Sequence, residues 1–200
     1  MISFEGQVAI VTGAGRGLGR AYAKELARLG ARVVVNDPGA AVDGAGTDAG
    51  PAEQVCREIR AAGGQAVANL DSVASFAGGA GIVKTALDQW GRVDAVVCNA
   101  GILRDKAFHN QSEDDWDQVI AVHLKGCFTV LHAAWPQLRK QRYGRVVLCT
   151  SSTGLFGNFG QSNYGAAKAG MIGLMNTIKL EGEKYDIRVN TIGPSAYTRM

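Results

Sequence analysis

The chain has 200 residues, 46% hydrophobic and 20% charged, with a net charge of +3. That balance suits a single globular domain over residues 1–200, long enough for one substantial core. It argues against a nucleic-acid partner, because the Lys and Arg residues form no stripe with interleaved aromatics, and no apolar run approaches the roughly 20 residues of a membrane span.

The opening MISFEGQVAIV lacks a basic n-region and a cleavage site. Cys56, Cys98, Cys127 and Cys149 show no CxxC or Cys/His metal spacing. Free thiols, no metal and a reducing, cytoplasmic setting are therefore expected.

Residues 7–12 (QVAIVT) read as a first strand, followed by Gly13-Ala14-Gly15-Arg16-Gly17-Leu18-Gly19 and a helical pattern over 20–29 closed by Gly30. Strand, glycine turn and helix are the context of a dinucleotide-binding loop. Glycines let the backbone pass close to a pyrophosphate, and the helix start offers free N–H groups to it. The second strand, 32–36 (RVVVN), ends in Asp37. A carboxylate there accepts hydrogen bonds from an adenosine ribose and repels a 2′-phosphate. Arg16 pulls the other way, since it could pair with that phosphate. The balance favours NAD over NADP.

Residues 38–51 (PGAAVDGAGTDAGP) read as a flexible surface insertion. A helix over 53–62 and a third strand over 65–70 follow. Asp71, Ser72 and Val73 then stand at the strand's C-terminal end, where ligands of an open α/β sheet gather. A helix over 76–90 stops at Gly91, and a fourth strand over 93–98 runs into Asn99-Ala100-Gly101, small enough for a flat cofactor to lie on the backbone. Residues 102–111 read as a polar loop at the pocket rim. Ser112 with Asp115 marks a helix start, and the helix is expected to continue to about Gln141. A fifth strand spans 145–150.

Tyr164 and Lys168 then open a long helix running to Lys184, four residues apart and so on one face. An ammonium held near a phenol favours the phenolate, which a base near neutral pH requires. Ser151, at the end of the fifth strand, could hydrogen-bond the oxygen that gains or loses the proton. A sixth strand over 187–192 and a Gly193-Pro194 turn complete an alternation of strands and helices. The expected fold is an α/β, Rossmann-type doubly wound parallel sheet with helices on both faces.

These residues resemble the short-chain dehydrogenase/reductase family. Thr12–Gly19 matches its TGxxxGxG loop, Asn99-Ala100-Gly101 its NAG motif, and Ser151, Tyr164 and Lys168 its catalytic Ser and YxxxK. Asn190–Pro194 resembles its NxIxPG segment, with Ser195 in place of the last Gly. The strings GAGRGLGRAYA, VVVNDPG, VANLDSV, NAGILRD, VHLKG and GNFGQSNY are similar to one branch, the (3R)-hydroxyacyl-CoA dehydrogenase part of peroxisomal multifunctional enzyme type 2 and its bacterial relatives. The resemblance implies NAD-linked alcohol/ketone chemistry on an acyl-CoA, with a steroid as the alternative substrate; a non-catalytic dinucleotide-binding scaffold that keeps only the fold is the lesser, rival reading. It also implies a homodimer or homotetramer through the two long helices, and a peroxisomal location if the source is a eukaryote. Where many members carry a relay Asn, this chain has His123, read either as a variant member of that relay or as a histidine packed among the helices. Members usually continue for another strand and a substrate-covering segment; here the sequence stops at Met200, read either as a shortened chain or as one without that strand and segment.

Overall fold

The computed structural model describes residues 2–195. Six strands, β1 (Val8–Thr12), β2 (Arg32–Asn36), β3 (Gln65–Asn69), β4 (Ala95–Cys98), β5 (Gly144–Cys149) and β6 (Ile187–Ile192), form one parallel sheet in the order β3-β2-β1-β4-β5-β6. Seven helices connect or flank them: α1 (Gly17–Arg28), α2 (Gly50–Ala61), α3 (Phe76–Trp90), α4 (Glu113–Ile120), α5 (Gly126–Gln141), α6 (Thr153–Phe156) and α7 (Ser162–Gly182).

The strands read as continuous apolar runs because both faces are covered. Successive side chains of a strand point to opposite faces. Val8 and Ile10 accordingly join the core beneath α3, α5 and α7, while Ala9 and Val11 join the core beneath α1 and α2. Strand order reverses between β1 and β4, and their parallel pairing, Ala9 opposite Ala95, opens a crevice beyond the strand C-termini.

The expected punctuation is present at two places. Gly91 caps α3 with φ +71°, a conformation open to glycine. Ser112 and Asp115 form a reciprocal capping box at the start of α4.

Three expectations are corrected. Helix α1 begins at Gly17, within the glycine loop, so the loop and the helix N-terminus coincide. The helix expected to run unbroken to Gln141 contains a π-turn, Ala121–Lys125, between α4 and α5, and His123 sits in it. Such wide turns mark one extra residue in a helix and often sit at functional sites. The 38–51 stretch lies at the surface over most of its length, but Val42 accepts the Leu103 N–H at 2.9 Å, and α2 already starts within it, at Gly50.

Candidate active site

The crevice is built first by backbone. Gly13 and Gly17 adopt φ of +64° and +54°, in the left-handed region that side chains disfavour. The N-cap residue Arg16 supplies no side-chain bond to α1, so no side chain caps its first turn. Gly13, Arg16, Gly17, Leu18, Asp37, Ser72, Val73, Asn99, Ala100 and Gly101 all line this cleft. An uncapped helix start beside a carboxylate fits a pyrophosphate and a ribose.

Gly19 does something different from the contact expected of it. It faces inward, and a Cβ there would lie 2.1 Å from the Gly13 carbonyl oxygen. It lets α1 close against its own loop. Asn99 also acts on the loop, its Nδ2 donating to the Thr12 and Gly13 carbonyls at 3.1 Å each. Thr12 completes the brace, its Oγ1 accepting the N–H groups of Asn99 (3.0 Å) and Ala100 (3.1 Å). Spacing alone does not single Thr12 out; the signal it offers in the sequence is a hydroxyl at the end of β1.

Asp37 is nearly buried at the end of β2. Its carboxylate accepts the Gly15 N–H at 2.8 Å and the Gly39 N–H at 2.7 Å, which holds it at the cleft wall with lone pairs to spare. Asp71 departs from expectation. Its side chain accepts from Asn69 Nδ2 at 2.9 Å and lies where a Cβ on Gly81 of α3 would be, 2.2 Å from Oδ2, so it turns out of the cleft. Ser72 and Val73 remain in it.

A second cleft adjoins the first through shared walls at Leu18, Asn99 and Gly101. It brings together Ser151, Tyr164, Lys168 and His123, with Cys149 and Pro194. Ser151 follows β5, and its Oγ accepts the Thr153 N–H at 3.2 Å. Tyr164 and Lys168 project from the first turns of α7. Thr150 Oγ1 donates to the Lys168 carbonyl at 2.7 Å, fixing α7 to the end of β5.

Lys168 is buried, and its Nζ donates to the Cys149 carbonyl. The ammonium lies 5.3 Å from the centre of the Tyr164 ring, within cation–π reach. Burial lowers the Lys168 pKa, with the Cys127, Cys149 and Cys98 thiols opposing. The expected depression of the phenol is not met by the chain alone. Burial raises the Tyr164 pKa, and the nearby Ser151 hydroxyl, which favours the phenolate, offsets this only in part. The Lys168 ammonium is not among the groups that shift the phenol in this arrangement.

His123 is 1% exposed. Its Nε2 lies 3.0 Å from the Ile102 backbone N and 2.8 Å from the Ile102 carbonyl oxygen, and its buried Nδ1 has no hydrogen-bond partner among the described residues. The ring meets Tyr164 edge to face at 5.1 Å. Among the described residues no hydrogen bond links His123 to Lys168 or Tyr164. Burial, with the Lys168 charge second, lowers its pKa to about 3. The imidazole is therefore neutral at physiological pH.

A pH effect on stability follows. With a folded pKa of about 3 against an ordinary 6.5, the unfolded chain takes up the extra proton first as pH falls. Stability present above pH 6.5 should be lost on descent towards pH 3, at up to about 1.4 kcal/mol per pH unit for this group. Urea melts of wild type should therefore fall more steeply with acid than those of His123→Gln. Parallel curves would mean that the imidazole is not held neutral.

Comparison with known proteins adds family context. A family model described as short chain dehydrogenase matches residues 7–199. The chain is 58% identical over its whole length to Rv0148 of Mycobacterium tuberculosis, named as a short-chain type dehydrogenase/reductase, of which it covers 70%. It is 53% identical to peroxisomal multifunctional enzyme type 2 of Mus musculus, where it covers all of this chain but 27% of that one. A crystal structure of a short chain dehydrogenase from Mycobacterium avium superposes with a TM-score of 0.90 at 46% identity, covering 98% of this chain and 70% of that one. The chain thus spans about a quarter of the mouse enzyme's length.

Proposed function

Because this chain belongs to the short-chain dehydrogenase family, whose members are oxidoreductases acting on CH–OH groups, we propose that it is an NAD-dependent dehydrogenase. Its reaction is the interconversion of a (3R)-3-hydroxyacyl-CoA and the 3-ketoacyl-CoA, with binding and chemistry both in one domain. The observation that carries this reading is the meeting of Ser151, Tyr164 and Lys168 in a cleft continuous with the glycine-lined one. The half-identical relative named as a peroxisomal multifunctional enzyme supports the substrate class.

NAD, when bound, accepts the hydride. The chain's own residues do the rest. The first turn of α1 and the Gly13–Gly19 loop would hold the pyrophosphate, Asp37 would hold the adenosine ribose, and the 99–101 backbone would support the middle of the cofactor. Tyr164 removes the hydroxyl proton as the C–H bond gives up its hydride, and Ser151 holds the oxygen as it becomes a carbonyl. Lys168, with donors left beyond its bond to the Cys149 carbonyl, would bind the nicotinamide ribose, and its charge would favour the phenolate. His123 holds Ile102 and supports the Tyr164 ring as a neutral imidazole, rather than carrying a proton itself.

A substrate panel followed through NADH absorbance tests the assignment. Oxidation of a (3R)-3-hydroxyacyl-CoA at a kcat/KM well above that of a 17β-hydroxysteroid is expected. The reverse order would move the substrate to steroids, and NADH binding with no turnover of any alcohol would favour a non-catalytic scaffold.

Cofactor choice has its own test. A carboxylate about 4 Å from a 2′-phosphate disfavours it by up to roughly 4 kcal/mol at an effective dielectric near 20. Asp37→Asn should lower the NAD-to-NADP ratio of kcat/KM by at least about tenfold. An unchanged ratio would take cofactor choice away from Asp37.

Exposed Phe128 on α5 and Leu180 on α7, at 42% and 68%, support a homodimer or homotetramer through these helices. Light scattering that returned a monomer mass would end that reading. No helix among the described residues is long and apolar enough to cross a membrane. A cytoplasmic location, or a peroxisomal one in a eukaryote, is the companion proposal, and cell fractionation tests it.

A further inference from the structure

The 38–48 stretch and the 102–106 rim are joined to each other above the nucleotide cleft. The Val42 carbonyl accepts the Leu103 N–H at 2.9 Å, and the Asp43 carbonyl accepts from Arg104 Nε at 2.9 Å. Gly44 runs against Ile102, so closely that a Cβ on it would lie 3.1 Å from Ile102 Cδ1. Ala41, Gly44 and Ile102 all line the cleft. Joined in this way, the two segments form one continuous strap along it.

Arg104 is where the strap is tied. Besides Asp43, its guanidinium reaches Asp114 Oδ2 at 2.5 Å and lies 3.7 Å from Asp115. Its own carbonyl accepts from Asn163 Nδ2 at 3.2 Å. Asn163 is fully buried; its Nδ2 also donates to the Asp115 carbonyl at 3.0 Å, and its Oδ1 accepts the Tyr164 N–H at 2.7 Å. One residue therefore touches the strap, the acidic first turn of α4 and, through a buried amide, the first turn of α7.

We propose, building on the dinucleotide reading of this cleft, that Arg104 is a positioning residue. Its side chain pins the strap over the bound nucleotide by joining Asp43 to the first turn of α4. The planar guanidinium reaches two acceptors on different segments at once, which a single ammonium on a flexible stem does poorly. Bonds of this charged kind are the stronger class of hydrogen bond. A dinucleotide enters or leaves only when the strap lifts, so the tie slows release more than it strengthens the fold.

The test is stopped-flow release of NADH from the full chain, with equilibrium titration and thermal melting alongside. Arg104→Ala should release NADH about tenfold faster than wild type, the effect of losing one strong bond of about 1.4 kcal/mol. Arg104→Lys should behave similarly, because the charge without the fork does not restore the tie; should the alanine variant fail to fold, the lysine variant carries the test. Asp88→Asn, which removes an exposed ion pair with Lys84 on α3 away from the strap, should release NADH within about twofold of wild type. Wild-type release in both Arg104 variants would overturn the proposal, as would faster release that merely tracks a lower melting temperature. A wild-type chain that binds no NADH would instead fail the dinucleotide reading, and the Arg104 proposal with it.

Discussion

Tyr164→Phe should lower turnover by about 10²–10⁴-fold, the range for losing a positioned acid–base group, while NADH affinity stays within about twofold of wild type. The substitution removes one oxygen and leaves the ring. That ring is what touches its neighbours, with His123 edge-on at 5.1 Å and the Lys168 ammonium 5.3 Å from its centre. Packing should therefore survive and only the proton acceptor be lost. Single-turnover measurement of NADH formation, paired with NADH titration, separates chemistry from binding. Wild-type turnover in the variant would remove Tyr164 from the reaction and leave Ser151 and Lys168 without a base to serve.

Gly19→Ala should weaken dinucleotide binding by at least about tenfold and cost about 1–3 kcal/mol of stability, the usual range for overpacking. The added methyl would sit 2.1 Å from the Gly13 carbonyl oxygen and 2.6 Å from Asn99 Nδ2. Neither neighbour retreats easily, because Asn99 Nδ2 is already bonded to that same carbonyl and to Thr12. Something must give in the cradle itself. Gly63→Ala provides the contrast: its φ of +85° is strained for alanine, but nothing lies within 4 Å of the new Cβ. It should lower the melting temperature and leave NADH affinity alone. Equal NADH affinity in Gly19→Ala and wild type would show that the cradle tolerates the shift.

The sheet was legible because buried parallel strands write themselves as short apolar runs, and VAIVT, RVVVN and AVVC each fall where the runs were read. The meeting of Ser151, Tyr164 and Lys168 in one cleft was legible from the end of a strand and one helical turn. What composition hides is tertiary. The glycine- and alanine-rich 38–48 stretch looks like any loop, and only its bonds to Leu103 and Arg104 make it a strap. The π-turn at His123 has no period to betray it. Asp71 occupies the expected position at the end of β3, yet Asn69 turns its carboxylate away. The direction of the Tyr164 pKa was also beyond spacing, which says that an ammonium is near but not how deeply the phenol is buried.

The reversal of strand order that opens the crevice also sets the order in which the molecule can be assembled. The Val8 N–H finds its partner in Asp94, 86 positions further along, so one flank of β1 stays bare until β4 has been made. Pairings of such long sequence separation form slowly, and a bare apolar edge invites association with other chains in the meantime. Growing or refolding chains should thus gain helical signal before they gain NADH fluorescence. Simultaneous recovery of both signals would show that β4 docks early, and that the wait is never exposed.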